Sequence, residues 1–121
     1  MCIFSYMANQ SPSTSDLVFR IKADFLKALA HPVRLAIIEY LKNRESSVGE
    51  MVNKLGVEQS GLSKHLALLR HAGILRFRQE KVTVYYSIRD HDIFKVLRPI
   101  AEILRKKLKE SQGMLEHLGE V

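Results

Sequence analysis

The 121 residues are 46% apolar and 26% charged, enough for one hydrophobic core and too few for two well-filled domains. Nineteen Lys and Arg against thirteen Asp and Glu leave a formal charge of +6, which favours polyanionic partners: nucleic acid or an anionic membrane surface. No run reaches the roughly 20 apolar residues of a bilayer span. Met1 to Tyr6 lacks the basic start and apolar stretch of a secretion signal, and the single cysteine, Cys2, forms no internal disulfide, so the chain is expected in the reducing cytoplasm.

Residues 1–15 are rich in Asn, Gln, Pro, Ser and Thr from Ala8 onward and read as a flexible arm. Ser15 or Asp16 offers an N-cap for a first amphipathic helix carrying Leu17, Ile21, Phe25 and Leu29 at steps of four, ending near Ala30. His31-Pro32 restarts the chain, since proline suits the first position of a helix. The second helix, about Pro32 to Lys42, is expected to bury Leu35, Ile38 and Leu41, with Ala36, Ile37 and Tyr40 widening the apolar face. Ser47-Val48-Gly49-Glu50 is a capping-box pattern that starts a short third helix to about Leu55. Gly56 allows a left-handed turn, and a fourth helix runs from about Glu58 to His71, closed by Gly73. Short helix, glycine turn and longer helix is helix-turn-helix spacing.

After Gly73 the periodicity becomes two: Leu75, Phe77, Val82, Val84, Tyr86 and Ile88 alternate with Arg76, Arg78, Thr83, Tyr85 and Ser87, predicting two strands that turn around Gln79-Glu80-Lys81. From His91, Ile93, Leu97, Ile100, Leu104 and Leu108 mark a last helix, which Pro99 is expected to kink or divide. The folded domain is thus expected over residues 16–110, mainly α with a small β-hairpin, about five helices and a two-stranded wing; residues 111–121 form a tail.

In the fourth helix Leu62, Leu66 and Leu69 share one face and point to the core. The other face presents Gln59, Ser60, Ser63, Lys64 and Ala67, with His65 and Arg70 at its margins, and Gly61 keeps it free of bulk. Short side chains rich in donors and acceptors at the front of a helix suit base edges in a major groove. The hairpin adds Arg76, Arg78, Gln79 and Lys81, positioned for phosphates or a minor groove.

These residues resemble the ArsR/SmtB-type winged helix-turn-helix repressors over roughly Ala23 to Leu108. The resemblance is carried by Ala30-His31-Pro32-Val33-Arg34-Leu35, Val48-Gly49-Glu50-Met51, Gln59-Ser60-Gly61-Leu62-Ser63-Lys64-His65-Leu66, Leu69-Arg70-His71-Ala72-Gly73-Ile74-Leu75 and Val84-Tyr85-Tyr86-Ser87-Ile88. It implies a homodimer whose first and last helices form the interface, here through Leu17, Ile21, Phe25, Ile93, Leu97, Ile100 and Leu104. It also implies a partly palindromic double-stranded DNA operator, read by Gln59, Ser60, Ser63, Lys64 and His65, with a wing from Arg78 to Lys81. The wing departs from the family by lacking a tip glycine, which implies a longer or differently shaped turn. Glu58 stands where a Ser or Thr cap is common.

Many relatives in that family release DNA on binding metal. The cysteine pair of the site in the third helix is missing, since Val48, Gly49 and Met51 stand there. The second family site would begin at Asp90-His91-Asp92, but its other half falls on Ile103 and Lys106, which cannot complete a tetrahedral centre. No metal site and no cofactor are therefore expected, leaving a non-metal effector or none; a metal response through an atypical site is the alternative. His31 reads as a helix-entry residue and His71 as a helix-end residue. A different class of function, a basic membrane-surface or protein-interaction module using Arg105, Lys106, Lys107 and Lys109, leaves the polar face of the fourth helix unexplained. An enzyme is not expected, for there is no interior cysteine, phosphate-cradling glycine loop or carboxylate pair to carry chemistry.

Overall fold

The structure, a computed structural model, describes residues 13–110; the expected arm before Ser13 and the tail from Ser111 lie outside the described residues. Helix α1 spans Thr14–Leu29 and α2 spans Pro32–Tyr40, followed by strand β1, Ser46–Ser47. Helices α3, Val48–Leu55, and α4, Gln59–His71, lead into β2, Leu75–Glu80, and β3, Thr83–Ile88. A 3₁₀ turn, His91–Ile93, then enters α5, Phe94–Lys107, and a second 3₁₀ turn covers Leu108–Glu110.

Local chemistry sets most of these boundaries. The α3 start is the expected capping box: Ser47 Oγ accepts from Glu50 N at 3.2 Å while the Glu50 carboxylate accepts from Ser47 N at 3.3 Å. The same device, rather than Ser15 or Asp16 as N-cap, starts α1. There Ser13 Oγ accepts from Asp16 N and the Asp16 carboxylate accepts from Ser13 N, each at 3.2 Å, so the helix begins at Thr14. Gly56 caps α3 in the left-handed region at φ 65°. Gly73, at φ 78°, closes α4 in a Schellman arrangement: Ile74 N donates to Leu69 O and Gly73 N to Arg70 O, both at 3.0 Å.

The core is built from Leu29, Ile37, Ile38, Leu41, Met51, Leu62, Leu66, Leu69, Ile74, Leu75, Ile88, Ile93 and Phe94. In α2 the buried arc falls on Ile37, Ile38 and Leu41, and Leu35, expected inside, is 41% exposed. Residues two apart on a helix lie about 200° apart, so Leu35 and Ile37 cannot both face the core. Ile93 was expected at the interface between chains; at 6% exposure it belongs to this chain's own core. Pro99 does not divide α5, which is helical from Phe94 through Lys107.

The sheet is antiparallel, in the order β1-β3-β2, with Ser46 and Ser47 of β1 opposite Tyr86 and Tyr85. The expected two-stranded wing therefore gains a third strand, a two-residue pairing too short to leave an alternating pattern. The hairpin turn also differs from expectation. Glu80 pairs with Thr83, so Gln79 and Glu80 are strand residues and the loop is the pair Lys81-Val82. A two-residue connection needs one residue at positive φ, and without glycine Lys81 takes it at φ 56°. Val82, expected within the second strand, sits in that turn and is 94% exposed. Among the described residues no helix is long and apolar enough to cross a membrane.

Candidate nucleic-acid interface

Leu62, Leu66 and Leu69 are at most 1% exposed, and they fix the rotation of α4 against the core. Gln59, Ser60, Ser63 and Lys64 consequently face out and are exposed, while Gly61, His65 and Ala67 are partly buried. Nothing lies within 4 Å of where a Cβ on Gly61 would stand, so the glycine keeps open space at that point of the helix surface. Glu58 is the N-cap without a side-chain cap; its carboxylate instead accepts from Ser60 Oγ at 3.1 Å. The first turn of α4 therefore keeps amide donors for an outside acceptor.

His65 is not simply part of that outer face. Its ring centroid lies 4.3 Å from that of His31, and its Nδ1 is 3.2 Å from Arg34 Nη1. A guanidinium can only donate, so Nδ1 accepts and the neutral ring carries its proton on Nε2. Arg34 also donates from Nε to Ala28 O at 2.6 Å and from Nη2 to Lys27 O at 3.1 Å, binding the last carbonyls of α1 to α4. His31 itself caps α2, its Nδ1 accepting from Val33 N at 3.1 Å, as its place before Pro32 led one to expect. His71, at the other end of α4, donates from Nδ1 to Ala67 O at 2.7 Å.

Burial, and then electrostatic repulsion of a proton on this ring by its neighbours His31 and Arg34, hold the His65 imidazole below its ordinary pKa of 6.5. With the folded value depressed, the unfolded chain takes the proton first as pH falls. The contribution to stability is complete above pH 6.5 and is lost as pH drops through the folded value. Thermal midpoints measured from pH 7.5 to pH 5 should fall less steeply for His65→Gln than for the parent chain; identical profiles would remove His65 from the titration.

The wing holds the largest departure from the sequence reading. Arg78, expected to offer a free cation to phosphates, is bound by two carboxylates: Nε and Nη2 donate to Glu45 at 2.8 and 2.7 Å, and Nη1 donates to Glu80 at 2.8 Å. Its guanidinium carbon also lies 4.6 Å from the Tyr85 ring centroid. The hydrogen bonds from Arg78 hold the Glu45 carboxyl below its usual range, and the two carboxylates push the Arg78 pKa up. Gln79 is exposed on β2 and donates from Nε2 to Lys81 O at 3.2 Å, while Lys81 stands at the turn with no carboxylate in ion-pair range among the described residues. Sequence reasoning missed Glu45 and Arg34. The Glu45–Arg78 contact spans 33 positions and the Arg34–His65 contact 31, and no local pattern signals either.

Asp90 and His91 are likewise occupied by the fold. Asp90 Oδ1 accepts from Asp92 N at 2.9 Å, and His91 Nε2 donates to Lys42 O at 3.0 Å. Among the described residues no three His, Cys, Asp or Glu side chains cluster so as to hold a metal ion.

Residues 29–77 match the family described as a helix-turn-helix domain. The chain is 38% identical over 105 residues to the uncharacterized HTH-type transcriptional regulator Rv0081 of Mycobacterium tuberculosis, covering 86% of this chain and 92% of that one. The crystal structure of that protein superimposes with a TM-score of 0.70, over 78% of this chain and 95% of that one. NolR from Sinorhizobium fredii, 38% identical, gives 0.69 over 78% and 95%. A Mycobacterium bovis domain described as a homodimeric winged helix-turn-helix DNA-binding domain of a possible ArsR-family regulator, 25% identical, gives 0.70 over 85% and 94%. A helix-turn-helix of α3 and α4, backed by a β-hairpin wing, defines a winged helix-turn-helix DNA-binding transcriptional regulator, a class of regulators and not of enzymes. Within it, the chain belongs to the ArsR/SmtB-type family.

Proposed function

We propose that the chain is a cytoplasmic repressor that binds a partly palindromic operator as a homodimer and occludes a promoter, with residues 16–110 serving both DNA binding and dimerisation. The observation that carries this reading is the outward face of α4, polar and exposed above three leucines that are fully buried. Gln59, Ser60, Ser63 and Lys64 read base edges in the major groove, and Gly61 lets the helix approach closely. His65 acts from the flank. Lys81 and Gln79 at the wing tip meet the backbone or the minor groove, and Arg78 joins them only by yielding a carboxylate. Two copies paired through α1 and α5 set the half-sites about one helical turn, roughly 34 Å, apart.

The test is selection of bound sequences from random duplexes followed by footprinting. A Gln59→Ala, Ser63→Ala double variant should lose about 1–3 kcal/mol of discrimination at the base pairs it reads while keeping non-specific affinity. Unchanged operator preference would overturn the assignment.

Regulation in this reading is metal-independent, through a non-metal effector or none. It is supported by the structural tasks of Asp90 and His91 and by the isoleucine and lysine at positions 103 and 106. One zinc ion per chain should leave the operator complex intact in a mobility-shift titration, and release at that ratio would contradict it.

A further inference from the structure

Between the segment that follows α2 and the base of the wing lies an open cleft of about 360 Å³ that the operator reading does not use. Its floor is Leu41 and Ile88, both at most 2% exposed and therefore rigid. Its polar lining is Lys42, Asn43, Arg44, Arg76, Ser87 and His91: cations and neutral donors, with no carboxylate among them. Concentrating three fixed positive charges around one hollow is electrostatically costly unless an anion joins them.

The neighbouring carboxylates are otherwise engaged. Glu45 is bound to Arg78, Asp90 accepts from the backbone of Asp92, and Asp92 pairs with Lys95 at 3.1 Å. Among the described residues none of Lys42, Arg44 and Arg76 forms an ion pair. They are held in place by other means. Lys42 Nζ sits 5.3 Å from the Phe94 ring centroid, Arg44 stacks 4.6 Å from that of Tyr40, and Arg76 Nε donates to Ser87 Oγ at 3.4 Å. His91 ties the Lys42 carbonyl across the cleft over 49 positions of sequence, and Arg76 of β2 adds a third segment to its walls. Aromatic stacking positions a guanidinium or ammonium without neutralising it, which leaves the charge available to a ligand.

We propose that this cleft binds a phosphate group, with Arg76 and Lys42 as its principal charged contacts and Ser87 and Asn43 as neutral donors. The group comes either from a small phosphate ester acting as an effector or from the backbone of bound DNA. The inference stands independently of the operator reading.

The test is an amide NMR titration of the full chain with inorganic phosphate at constant ionic strength. Saturable shifts at Asn43, Arg44, Ser87 and His91 are expected, with dissociation constants of order 1–10 mM, weakened about tenfold or more by Arg76→Gln and retained by Lys95→Gln. Arg76 is exposed and Lys42 half-buried; should Arg76→Gln lower the thermal midpoint, Lys42→Gln carries the same test. A parallel salt titration of a random duplex distinguishes the two sources. If the variant loses phosphate while duplex affinity and its salt slope are unchanged, the ligand is a free phosphate ester. If the slope also falls by about 0.9, it is the DNA backbone. Shifts that grow without saturating, or that persist undiminished in both Arg76→Gln and Lys42→Gln, overturn the proposal.

Discussion

Leu66→Ala should destabilise the chain by about 2–5 kcal/mol, lowering the thermal midpoint by roughly 8–20 °C for a domain of this size. Leu66 is 1% exposed on the inner face of α4, between Leu62 and Leu69, both at 0%. Truncation removes its transfer free energy and leaves a cavity among residues that α2, α3 and β2 hold in place, for each of those elements packs on α4. Alanine is the better helix former, so none of the loss can be ascribed to helix propensity. Ser63→Ala, three residues earlier on the exposed face, should stay within about 0.5 kcal/mol. Denaturant titration reads both: the midpoint of Leu66→Ala moves and its slope does not. A loss below about 1 kcal/mol would mean that these leucines do not set the rotation of α4, and the outward face of Gln59 and Ser63 would lose its physical basis.

What could be read in the sequence is what neighbours within a few positions decide. The capping box of Ser47 and Glu50, the left-handed glycines 56 and 73, and the leucine row of α4 are each fixed by contacts inside one element, and each stands where the periodicity put it. Errors begin where two elements must meet. The choice between Leu35 and Ile37 depends on which side of α2 the remaining helices cover. The turn at Lys81-Val82 is set by the pairing of Phe77 with Tyr86 and Leu75 with Ile88, which forces the loop to two residues whatever their type. Strand β1 exists only because β3 offers it an edge.

The same distinction runs through the interface. The exposed row on α4 follows from helical geometry and was legible. The state of the charges was not, because it depends on contacts between distant segments. Arg78 and Lys81 look alike in the sequence as cations of the wing, yet one is held by Glu45 and Glu80 and the other stands clear at the tip. His65 looks like one more polar residue of the recognition face, yet Arg34 turns its Nδ1 inward and connects it to the end of α1. Solvent screens an ion pair this exposed and leaves it weak, so Arg78 can exchange Glu45 for a phosphate at small cost. In the proposed complex its pairing would moderate the wing's affinity without abolishing it.

Ile21→Asp should dissociate the proposed dimer while leaving the fold of each chain intact. Ile21 is 66% exposed, and one turn before it on the same face of α1 Leu17 is 44% exposed; Phe19 at 54% and Leu26 at 52% are exposed toward the other side of the helix. On α5, Ile100, Ile103 and Leu104 are 40–57% exposed, and Phe25 shares a cleft with Ile93 and Val96, so the two helices border one side of the chain. An apolar surface of this kind on a small protein calls for a cover, and a second copy supplies one of matching chemistry. A two-fold axis places the substituted residue in the interface twice, and each carboxylate taken out of water there costs several kcal/mol, so the dimer dissociation constant should rise at least about a thousandfold. Sedimentation velocity should then show the 13.9 kDa chain where the parent gives twice that mass. The thermal midpoint extrapolated to low concentration should not change, since an exposed side chain contributes little to its own fold. Operator affinity should fall about a hundredfold or more, because two recognition helices no longer bind as one unit. A variant that remains dimeric at the parent's concentration would place the interface elsewhere and leave the apolar face of α1 to a different partner.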